Sequence, residues 1–467
     1  MASPPPTPKK DPISGEDYRF RDKGTPCEWC ESYRPGGLHP VHFGDVFANR
    51  YEVIRKLGNG SFGTVWLALD SMSSRYVALK IEVAERQEPR ELPILKFLAT
   101  KASGDPFSKY IVNLLDSFHH DGPNGRHLCL VLEPMGPSVS DILDAPDEEY
   151  NPLDPPVARF TKDKSKRILR DVLSGLQFLH RNGVAHGDLQ SGNILFALQD
   201  LSAVGIDKLK QNEATSRIDY LHRIDGKDDK WAPKYLVVSE PLSEYTVPDP
   251  DSAAKLCDLG GAFFVDDPPA KIITPLSFRA PEVILGEPLG TGIDIWSFGC
   301  LLFAFITGRS LFELPPFGFS DETLKDKHLI QMSEIIQPLP ESLVVKWPSW
   351  SKYFGPGGER LNVKPSDFEE GGFFVQLDEQ DDMEEDTHGA DDDGSPADDE
   401  DSAIRARNRA PVQPSDSLEK LMSDNKPPDM DEAEEAMVVS LLRSIFQYDP
   451  AKRPSAAELL EHAWFKG

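Results

Sequence analysis

The spacing of hydrophobic residues along the chain changes from the period of strands to the period of helices. Apolar residues recur over 51–54 and 64–69, on either side of a glycine-rich turn, and again over 76–81, which is typical of buried strands. The first two segments flank a glycine-rich turn and predict a β-hairpin, and the third predicts a strand beside it. A helix is expected over 86–98, and two further strands are expected over 111–117 and 128–132.

From residue 136 onward the pattern becomes mainly helical. Apolar residues recur at helical spacing over 167–180, so this segment predicts the clearest helix of the chain. Strands first and helices afterwards indicate an α+β fold, with a small β-rich lobe joined to a larger, mainly helical lobe. We expect a disordered tail and lead-in (1–32), a β-rich lobe with its lead-in (33–135) and a helical lobe (136–467).

Two segments interrupt the predicted helical lobe. Residues 198–252 form a spacer of mixed charge that is far longer than a turn. Residues 366–416 contain dense runs of Asp and Glu, and like charges at that density repel one another and bury no core. We therefore expect a solvated, disordered acidic insertion rather than a specific binding element.

The formal net charge of the 467-residue chain is −28 at pH 7. This charge disfavours nonspecific binding to nucleic acid or to an anionic membrane, and it favours a basic partner. No apolar run reaches membrane-spanning length, and the first residues do not have the pattern of a secretion signal. The five cysteines are scattered, which is typical of a reduced intracellular protein. We expect the protein in the cytoplasm, the nucleus or both.

Three glycines, Gly58, Gly60 and Gly63, lie at the turn of the predicted hairpin. Glycine has no Cβ, so its backbone can approach the phosphates of a nucleotide closely. A tight hairpin turn would need the same residues and is the alternative. The loop joins two strands and does not open a helix, which favours a loop that covers phosphates over a dinucleotide-binding turn.

Lys80, on the third predicted strand, is placed to reach those phosphates. A lysine in this role needs a carboxylate that holds its side chain, and Glu91 is our choice. Pro89 and Pro93 complicate the predicted helix around Glu91, because a proline beyond the first turn removes a helix hydrogen bond. Glu88 is the second candidate.

The segment 186–193 carries side chains that suit phosphoryl transfer. Asp188 would accept or orient the proton of an attacking hydroxyl, and His186 would brace the loop. Asn193 and the more distant Asp258 would hold Mg²⁺, which balances the charge of a transferring phosphoryl group. A purely structural Asp–Asn loop is the alternative for this segment.

Two acidic residues further along have candidate structural roles. Glu282 has a plausible ion-pair partner in Arg453, and such a pair would position the substrate-binding segment. Asp294 would either anchor the backbone of the 186–193 loop or serve as a helix N-cap.

Cysteines and histidines near the start suggest a zinc site only weakly. Cys27 and Cys30 are followed by His39 and His42, but the histidines are closer together than in the usual zinc-finger pattern. We expect no metal at this position.

Five short motifs in this order resemble the catalytic domain of eukaryotic protein kinases. They cover residues 58–65, 77–80, 186–193, 258–260 and 280–282, and the resemblance extends from Tyr51 to about Phe465. It implies a protein-kinase fold with a β-rich N-terminal lobe and a larger helical C-terminal lobe.

More narrowly, the chain resembles the SR-protein kinase family, in the CMGC group of kinases. Members of that family phosphorylate serines in arginine/serine-rich segments. The resemblance rests on the lead-in at 33–51, on 53–58 and 64–68, on Asp258-Leu-Gly and on the spacer before it.

The resemblance implies ATP and Mg²⁺ as cofactors and gives individual residues a role. Lys80, Asp188, Asn193 and Asp258 would be catalytic, and Asn193 and Asp258 would be the metal ligands. The residues that would bind the nucleotide are Leu57, Gly58, Asn59, Gly60, Ser61, Phe62, Gly63, Val65, Ala78, Lys80, Glu91, Glu133 and Met135.

Three departures from the family pattern suggest a divergent, fungal-type branch. Gln190 stands where serine/threonine kinases usually have a lysine, and losing that cation should weaken stabilisation of the transition state. Gly261 stands where the family usually has Asn, and Ala280 begins the general kinase form of its motif. Because of Gln190, a nucleotide-binding pseudokinase that acts as a scaffold is the alternative function.

Substrate and regulation follow from charge and from the resemblance. We expect protein substrates with basic, Arg/Ser-rich segments, no direct contact with nucleic acid or membrane, and a monomer. Asp321, Glu322 and Asp326 are candidates for docking arginines, although they would equally suit a solvated acidic loop. The segment 260–273 contains no Ser, Thr or Tyr, so we expect activity without phosphorylation of this segment.

Overall fold

The structure is a computed structural model, and it describes residues 7–8, 17–21, 24–85, 90–143, 159–250, 252–315, 318–361, 363 and 416–466. The predicted acidic insertion (366–416) lies outside the described residues except for Asp416. The chain divides into two compact units, the first made of Met1–Ile273 with Ser455–Glu461 and the second of Thr274–Pro454 with His462–Gly467.

The strands lie in the first unit. They are β1 (Val46–Phe47), β2 (Tyr51–Gly60), β3 (Gly63–Asp70), β4 (Arg75–Glu82), β5 (Leu114–Gly122), β6 (Gly125–Leu132), β7 (Val184–Ala185), β8 (Ile194–Phe196), β9 (Ile218–Tyr220), β10 (Tyr235–Val237), β11 (Ala254–Leu256) and β12 (Phe263–Phe264). Six of them form one sheet in the order β1-β2-β3-β4-β6-β5, and its neighbouring strands are antiparallel.

The helices of the first unit are α1 (Glu91–Lys101), α2 (Val139–Leu143), α3 (Lys162–Arg181) and α4 (Ile206–Leu209). The second unit contains α5 (Pro281–Leu285), α6 (Gly292–Thr307), α7 (Asp321–Ile335), α8 (Glu341–Val344), α9 (Trp350–Tyr353), α10 (Leu418–Asn425) and α11 (Glu432–Ile445). Near the end, α12 (Ala456–Leu460) belongs to the first unit, where it packs on α3, and α13 (Ala463–Lys466) belongs to the second.

The predicted hairpin is present as β2 and β3, with Gly60 opposite Gly63 at the turn. A Cβ on Gly63 would lie 2.3 Å from the carbonyl oxygen of Ile81 on the neighbouring β4. A side chain at that position would therefore push β3 and β4 apart, which is a steric reason for the glycine.

Helix α1 begins at Glu91, five residues after the start of the predicted segment. Pro93 is its third residue, and the first four N–H groups of a helix have no partner within the helix. Pro93 therefore removes no helix hydrogen bond and is compatible with a helix that begins at Glu91. Glu88 and Pro89 lie outside the described residues.

The clearest predicted helix is present and longer than predicted. Helix α3 extends from Lys162 to Arg181, and the side chain of Thr161 accepts a hydrogen bond from the backbone N–H of Lys164 at its start. The capping oxygen satisfies one of the free N–H groups of the first turn. The two later strands are also present, at Leu114–Gly122 and Gly125–Leu132.

The described part of the predicted tail is packed, which corrects the expectation of disorder for residues 17–21 and 24–32. Phe20 and Cys30 lie in an apolar cluster with Tyr33, Leu38, Ala232 and Leu236. Arg19 Nε donates to Glu31 at 2.7 Å, and Arg19 Nη1 donates to Asp229 at 2.8 Å. The apolar residues of the tail are covered by the spacer, a pairing that no local pattern indicates.

The four residues of the weak zinc pattern make packing and hydrogen-bond contacts. Cys30 is buried in the cluster just described, and Cys27 packs against it. His39 lies edge-to-face against Phe47. His42 Nε2 accepts a hydrogen bond from the backbone N–H of Lys234 at 2.9 Å.

The spacer (198–252) packs on the β-sheet of the first unit. Tyr235 and Val237 join the sheet core beside Val53, Trp66 and Leu79. A second cluster places the spacer residues Leu201, Leu209 and Leu242 against Ile54 and Leu67. The spacer thus interrupts the sequence between the catalytic motifs but adds a layer to the β-rich part of the fold.

Among the described residues, no helix combines the length and the apolar character needed to cross a membrane.

Candidate active site

The residues predicted to bind a nucleotide all line one cavity of about 720 Å³ in the first unit. Leu57, Val65, Ala78 and Met135 are apolar and form part of its wall, together with residues 58–63 of the glycine-rich loop. A slot of this size with apolar walls and a few polar groups is typical of sites for small molecules.

Lys80 lies at the centre of a carboxylate network in this cavity. Its Nζ donates to Glu91 Oε1 and Oε2 at 2.9 and 2.7 Å, and to Asp258 Oδ1 at 2.8 Å. Burial alone would lower the pKa of Lys80, but the charges of Asp258 and Glu91 raise it above its ordinary value. Lys80 is therefore a permanent cation. Its carboxylate partner in the structure is Glu91, as predicted.

Asp188 is buried, and both of its carboxylate oxygens accept hydrogen bonds. Asn193 Nδ2 donates to Oδ2 at 2.9 Å, and Gln190 Nε2 donates to Oδ1 at 3.1 Å. Burial raises the pKa of Asp188 to about 7; the bond from Asn193 opposes this rise, and the charge of Asp258 adds to it. A carboxyl group with a pKa near neutrality can serve as a general base.

His186 braces the loop from inside. Its Nδ1 accepts a hydrogen bond from the backbone N–H of Asp188, at 3.3 Å, and its Nε2 lies 3.2 Å from the carbonyl oxygen of Cys257. These contacts require the tautomer with the proton on Nε2, which then donates to Cys257. The fully buried ring thereby ties the loop of Asp188 to the residue before Asp258.

Two glycines allow that close approach. Gly187 has a φ of +70°, and a Cβ there would lie 2.3 Å from the carbonyl oxygen of Gly261. A Cβ on Gly261 would lie 2.9 Å from Cβ of Asp188. Gly261, one of the departures from the family pattern, therefore packs closely against Gly187. A side chain at either position would displace the loop of Asp188.

Short antiparallel ladders hold these loops in place. Strand β8, directly after Asn193, pairs with β11, which ends two residues before Asp258. Strand β7, directly before His186, pairs with β12, which follows Gly261. Residues that are about 70 positions apart in sequence are thus fixed beside one another.

Glu133 was expected to contact the nucleotide, and its carboxylate has other partners. Lys255 Nζ donates to both of its oxygens, at 2.7 and 2.8 Å. The backbone N–H of Asn113 also donates to Oε1, at 2.8 Å. Glu133 lines the cavity, but the carboxylate is bound within the protein.

The predicted ion pair of the second unit is present. Arg453 donates to both carboxylate oxygens of Glu282, at 2.5 and 2.8 Å, and both side chains are buried. Arg453 also donates to the backbone of Gly292 and Gln447. Asp294 is buried in the first turn of α6 and is not its N-cap residue, which is Thr291.

One of the candidate docking residues has a structural role instead. Asp326 accepts hydrogen bonds from Trp347 Nε1 at 2.6 Å and from the Tyr353 hydroxyl at 2.9 Å. Its carboxylate is satisfied by these aromatic side chains, which corrects the expectation that it docks arginines. Asp321 and Glu322 are exposed at the start of α7.

The cavity also contains residues that the sequence analysis did not select. Leu132 and Cys257 directly precede the selected residues Glu133 and Asp258, and Leu195 lies between two buried residues of β8, a local pattern that could have indicated it. Val238, Ser239 and Pro241 of the spacer carry no such signal. All six line the same cavity.

Comparison with known proteins identifies the class of protein. The protein kinase domain family matches residues 51–210 and 246–465, which leaves out the middle of the spacer. A crystal structure of a kinase domain aligns with a TM-score of 0.54 at 24% identity, over 91% of this chain and 98% of the other. At that identity the structural match supports the fold alone.

Similar proteins of known class indicate the subfamily within the protein kinases. A serine/threonine-protein kinase SRPK from Physarum polycephalum is 34% identical over 368 residues, which cover 75% of this chain and 80% of the relative. Protein kinase dsk1 from Schizosaccharomyces pombe is 27% identical over 418 residues, which cover 72% and 75%.

The chain therefore belongs to the protein kinase family, and the predicted fold class is confirmed. Within that family it is a serine/threonine protein kinase of the SR-protein kinase family, as the sequence motifs indicated.

Proposed function

We propose that this kinase transfers the γ-phosphate of ATP, with Mg²⁺, to serines in Arg/Ser-rich protein segments. We further propose that Lys80, Asp188, Asn193 and Asp258 carry out the transfer. The observation that supports the assignment best is their convergence in one cavity, where the buried Asp188 is held on both oxygens.

Asp188 is suited to orient a substrate hydroxyl and to accept its proton. Its carboxylate is fixed by two amide groups, so little reorganisation is needed when a hydroxyl arrives. Lys80, held by Glu91 at 2.7 Å, presents a fixed positive charge where phosphate oxygens would lie. Positioning and charge account for most of the catalysis in phosphoryl transfer.

Asn193 and Asp258 fit a magnesium ion by the chemistry of their donor atoms. The amide nitrogen of Asn193 is bonded to Asp188, which leaves its side-chain oxygen for a cation. Asp258 is 45% exposed at its side chain. Mg²⁺ prefers oxygen ligands and is usually held by one or two protein groups together with substrate phosphates. When bound, the ion would neutralise charge on the phosphates.

The observation behind the pseudokinase alternative is Gln190. In the structure, its amide donates to Asp188 Oδ1 at 3.1 Å, so the residue has a role in holding the base. A scaffold has no chemical need for this bond or for the network of Lys80, Glu91 and Asp258. We therefore favour catalysis.

The preference for basic substrates is supported by charge and by the relatives. The net charge is −28, and arginine pairs well with carboxylates, often through two hydrogen bonds. Asp321 and Glu322 are exposed carboxylates in the second unit and remain the candidates for docking. We also propose that the protein acts as a monomer without binding nucleic acid.

Activity without phosphorylation of the segment 260–273 is supported by a contact of that segment. Arg90, the residue before α1, donates to the backbone carbonyl of Asp267 at 2.5 Å, and its guanidinium lies 3.3 Å from the Asp267 carboxylate. An acidic residue thus occupies the place beside α1 without any modification. Phosphatase-treated protein should retain its activity, and silence of the treated protein would contradict this proposal.

The substrate proposal is tested with three peptides of equal length. One contains an Arg/Ser repeat, the second has every Arg replaced by Lys, and the third has every Arg replaced by Ala. Phosphate transfer from radiolabelled ATP is measured with Mg²⁺, and Asp258→Ala serves as the control for catalysis.

The proposal expects at least a ten-fold higher kcat/KM for the arginine peptide than for the alanine peptide, and no transfer by Asp258→Ala. Equal rates on the three peptides would reject arginine recognition and leave the kinase activity intact. Full activity of Asp258→Ala would reject the assigned metal ligand.

A further inference from the structure

The spacer covers the free edge of the strand that leads into the glycine-rich loop. Backbone N–H groups of Gln211 and Glu240 donate to the carbonyl oxygens of Ile54 and Lys56, each at 2.9 Å. The N–H of Lys56 in turn donates to Gln211 Oε1 at 2.9 Å. Strand β1 pairs only with Tyr51 and Glu52 at the other end of β2, so the spacer satisfies an edge that would otherwise face solvent.

A buried ion pair links β2 both to the spacer and to the N-terminal segment before residue 33. Lys56 is fully buried, and its Nζ donates to Glu28 of the N-terminal tail and, at 2.9 Å, to the carbonyl oxygen of Val237 in the spacer. The Tyr33 hydroxyl donates to the same carboxylate at 2.5 Å. Because an unpaired buried charge is very costly, this contact holds β2, the N-terminal tail and the spacer together at Lys56.

The spacer continues from this point into the wall of the nucleotide cavity. Val238, Ser239 and Pro241 line the cavity that also contains Lys80 and Asp258. These residues belong to the first unit and are described without a gap from 159 to 250. The cavity wall therefore includes a segment that lies between the kinase motifs of the chain and outside the part matched by the family, which ends at 210 and resumes at 246.

Ser239 connects this wall to the glycine-rich loop itself. Its hydroxyl donates to Asn59 Oδ1 at 3.3 Å, and Asn59 lies between Gly58 and Gly60. A loop with three glycines loses much conformational freedom when it closes on phosphates. A bond that holds the loop in advance reduces that loss and favours binding.

We propose that the spacer residues Val238, Ser239 and Pro241 are part of the nucleotide-binding site, where they form one wall for an adenosine nucleotide and hold the glycine-rich loop through Ser239. The proposal rests on the proposed location of ATP in this cavity. It assigns to the spacer a direct part in nucleotide affinity, in addition to its packing on the sheet.

The test compares one substitution at two neighbouring positions of the spacer. Ser239→Trp adds bulk to the cavity wall, and Ser243→Trp places the same side chain at an exposed position that is not part of the wall. The dissociation constant of a non-hydrolysable ATP analogue with Mg²⁺ is measured by calorimetry for both variants and for the unchanged protein. Thermal unfolding of each variant is recorded beside it.

We expect Ser239→Trp to bind the analogue at least ten-fold more weakly and Ser243→Trp to stay within two-fold of the unchanged protein. Equal affinity of the two folded variants would overturn the proposal. No binding by the unchanged protein would instead reject the nucleotide site itself, so the two failures are distinguishable.

A second variant answers the question if Ser239→Trp does not fold. Ser239→Cys is treated with a small thiol reagent, and modification at position 239 is followed by mass spectrometry of the peptide. We expect the ATP analogue to slow this modification at least five-fold. An unchanged rate in the presence of saturating analogue would overturn the proposal.

Discussion

Replacing Gln190 by lysine should move the acidic limb of the pH–activity profile to lower pH. Asp188 must be ionised to accept a proton, and its pKa in the protein is raised to about 7. Activity of the unchanged enzyme should therefore fall on the acidic side of the profile, and because bound Mg²⁺ offsets the charge of Asp258, the limb should lie between the ordinary pKa of an aspartate and about 7. In Gln190→Lys, an ammonium group stands where the amide now donates to Asp188 Oδ1 at 3.1 Å and favours the ionised form.

The size of the shift follows from the geometry. Unit charges about 4 Å apart attract by about 4 kcal/mol at an effective dielectric constant of about 20, which equals about 3 pKa units. Gln190 is only partly buried, so solvent screening reduces the attraction. We expect the limb of Gln190→Lys to lie about 1–2 pH units below that of the unchanged enzyme, since an adjacent opposite charge usually has an effect of that order.

The assay is kcat/KM for a serine peptide between pH 5 and 9 with saturating Mg²⁺, because this constant reports the ionisation of the free enzyme. Gln190→Met, of similar size and without charge, serves as the control for the lost amide. An acidic limb in Gln190→Lys that coincides with that of the unchanged enzyme would refute the reasoning. A limb that moves equally in both variants would show that charge is not the cause.

Three further predictions concern stability. Gly187→Ala should lower the free energy of unfolding by at least about 2 kcal/mol, because Gly187 has a positive φ and the position of the added Cβ is blocked. Gly183 has the same φ but open space around it, so Gly183→Ala should lower the free energy of unfolding by only about 1 kcal/mol. Equal urea midpoints of the two variants would contradict this prediction. Arg453→Met, which leaves the Glu282 carboxylate buried without its partner, should cost about 3–5 kcal/mol, and a melting temperature within 1–2 °C of the unchanged protein would be inconsistent with the pair. Asp326→Asn should lower the melting temperature without changing the KM for an arginine peptide, and a specific rise in KM would restore its docking role.

The catalytic motifs could be predicted because each is a local pattern with a chemical requirement. The spacing of Asp188 and Asn193 places both in one loop, and their carboxylate and amide groups suit one another. Lys80 and Glu91 are only 11 residues apart in sequence, on a strand and the next helix. The sequence shows Gly261 as a departure from the family pattern, but the steric reason for this glycine, its close approach to Gly187, depends on the paired ladders of the structure.

Contacts between distant segments could not be predicted in the same way. Lys56 contacts Val237 across 181 residues of sequence and Glu28 across 28, and no periodicity relates the three. The same reason explains the error about Asp326, whose partners Trp347 and Tyr353 follow 21 and 27 residues later. An acidic residue in a polar segment indicates an exposed carboxylate until its partners are known.

Phosphate transfer from Mg·ATP to an Arg/Ser repeat peptide, compared between the unchanged protein and Asp188→Asn, tests the central claim most directly. Asn keeps the shape of the side chain and one acceptor oxygen, but its nitrogen is a donor that cannot accept a proton, so one of the two hydrogen bonds from Asn193 and Gln190 is also lost. We expect steady transfer by the unchanged protein and a loss of at least a hundred-fold in Asp188→Asn, with binding of the ATP analogue within three-fold. Absence of transfer by the unchanged protein while it still binds the analogue would contradict the account and favour a nucleotide-binding scaffold.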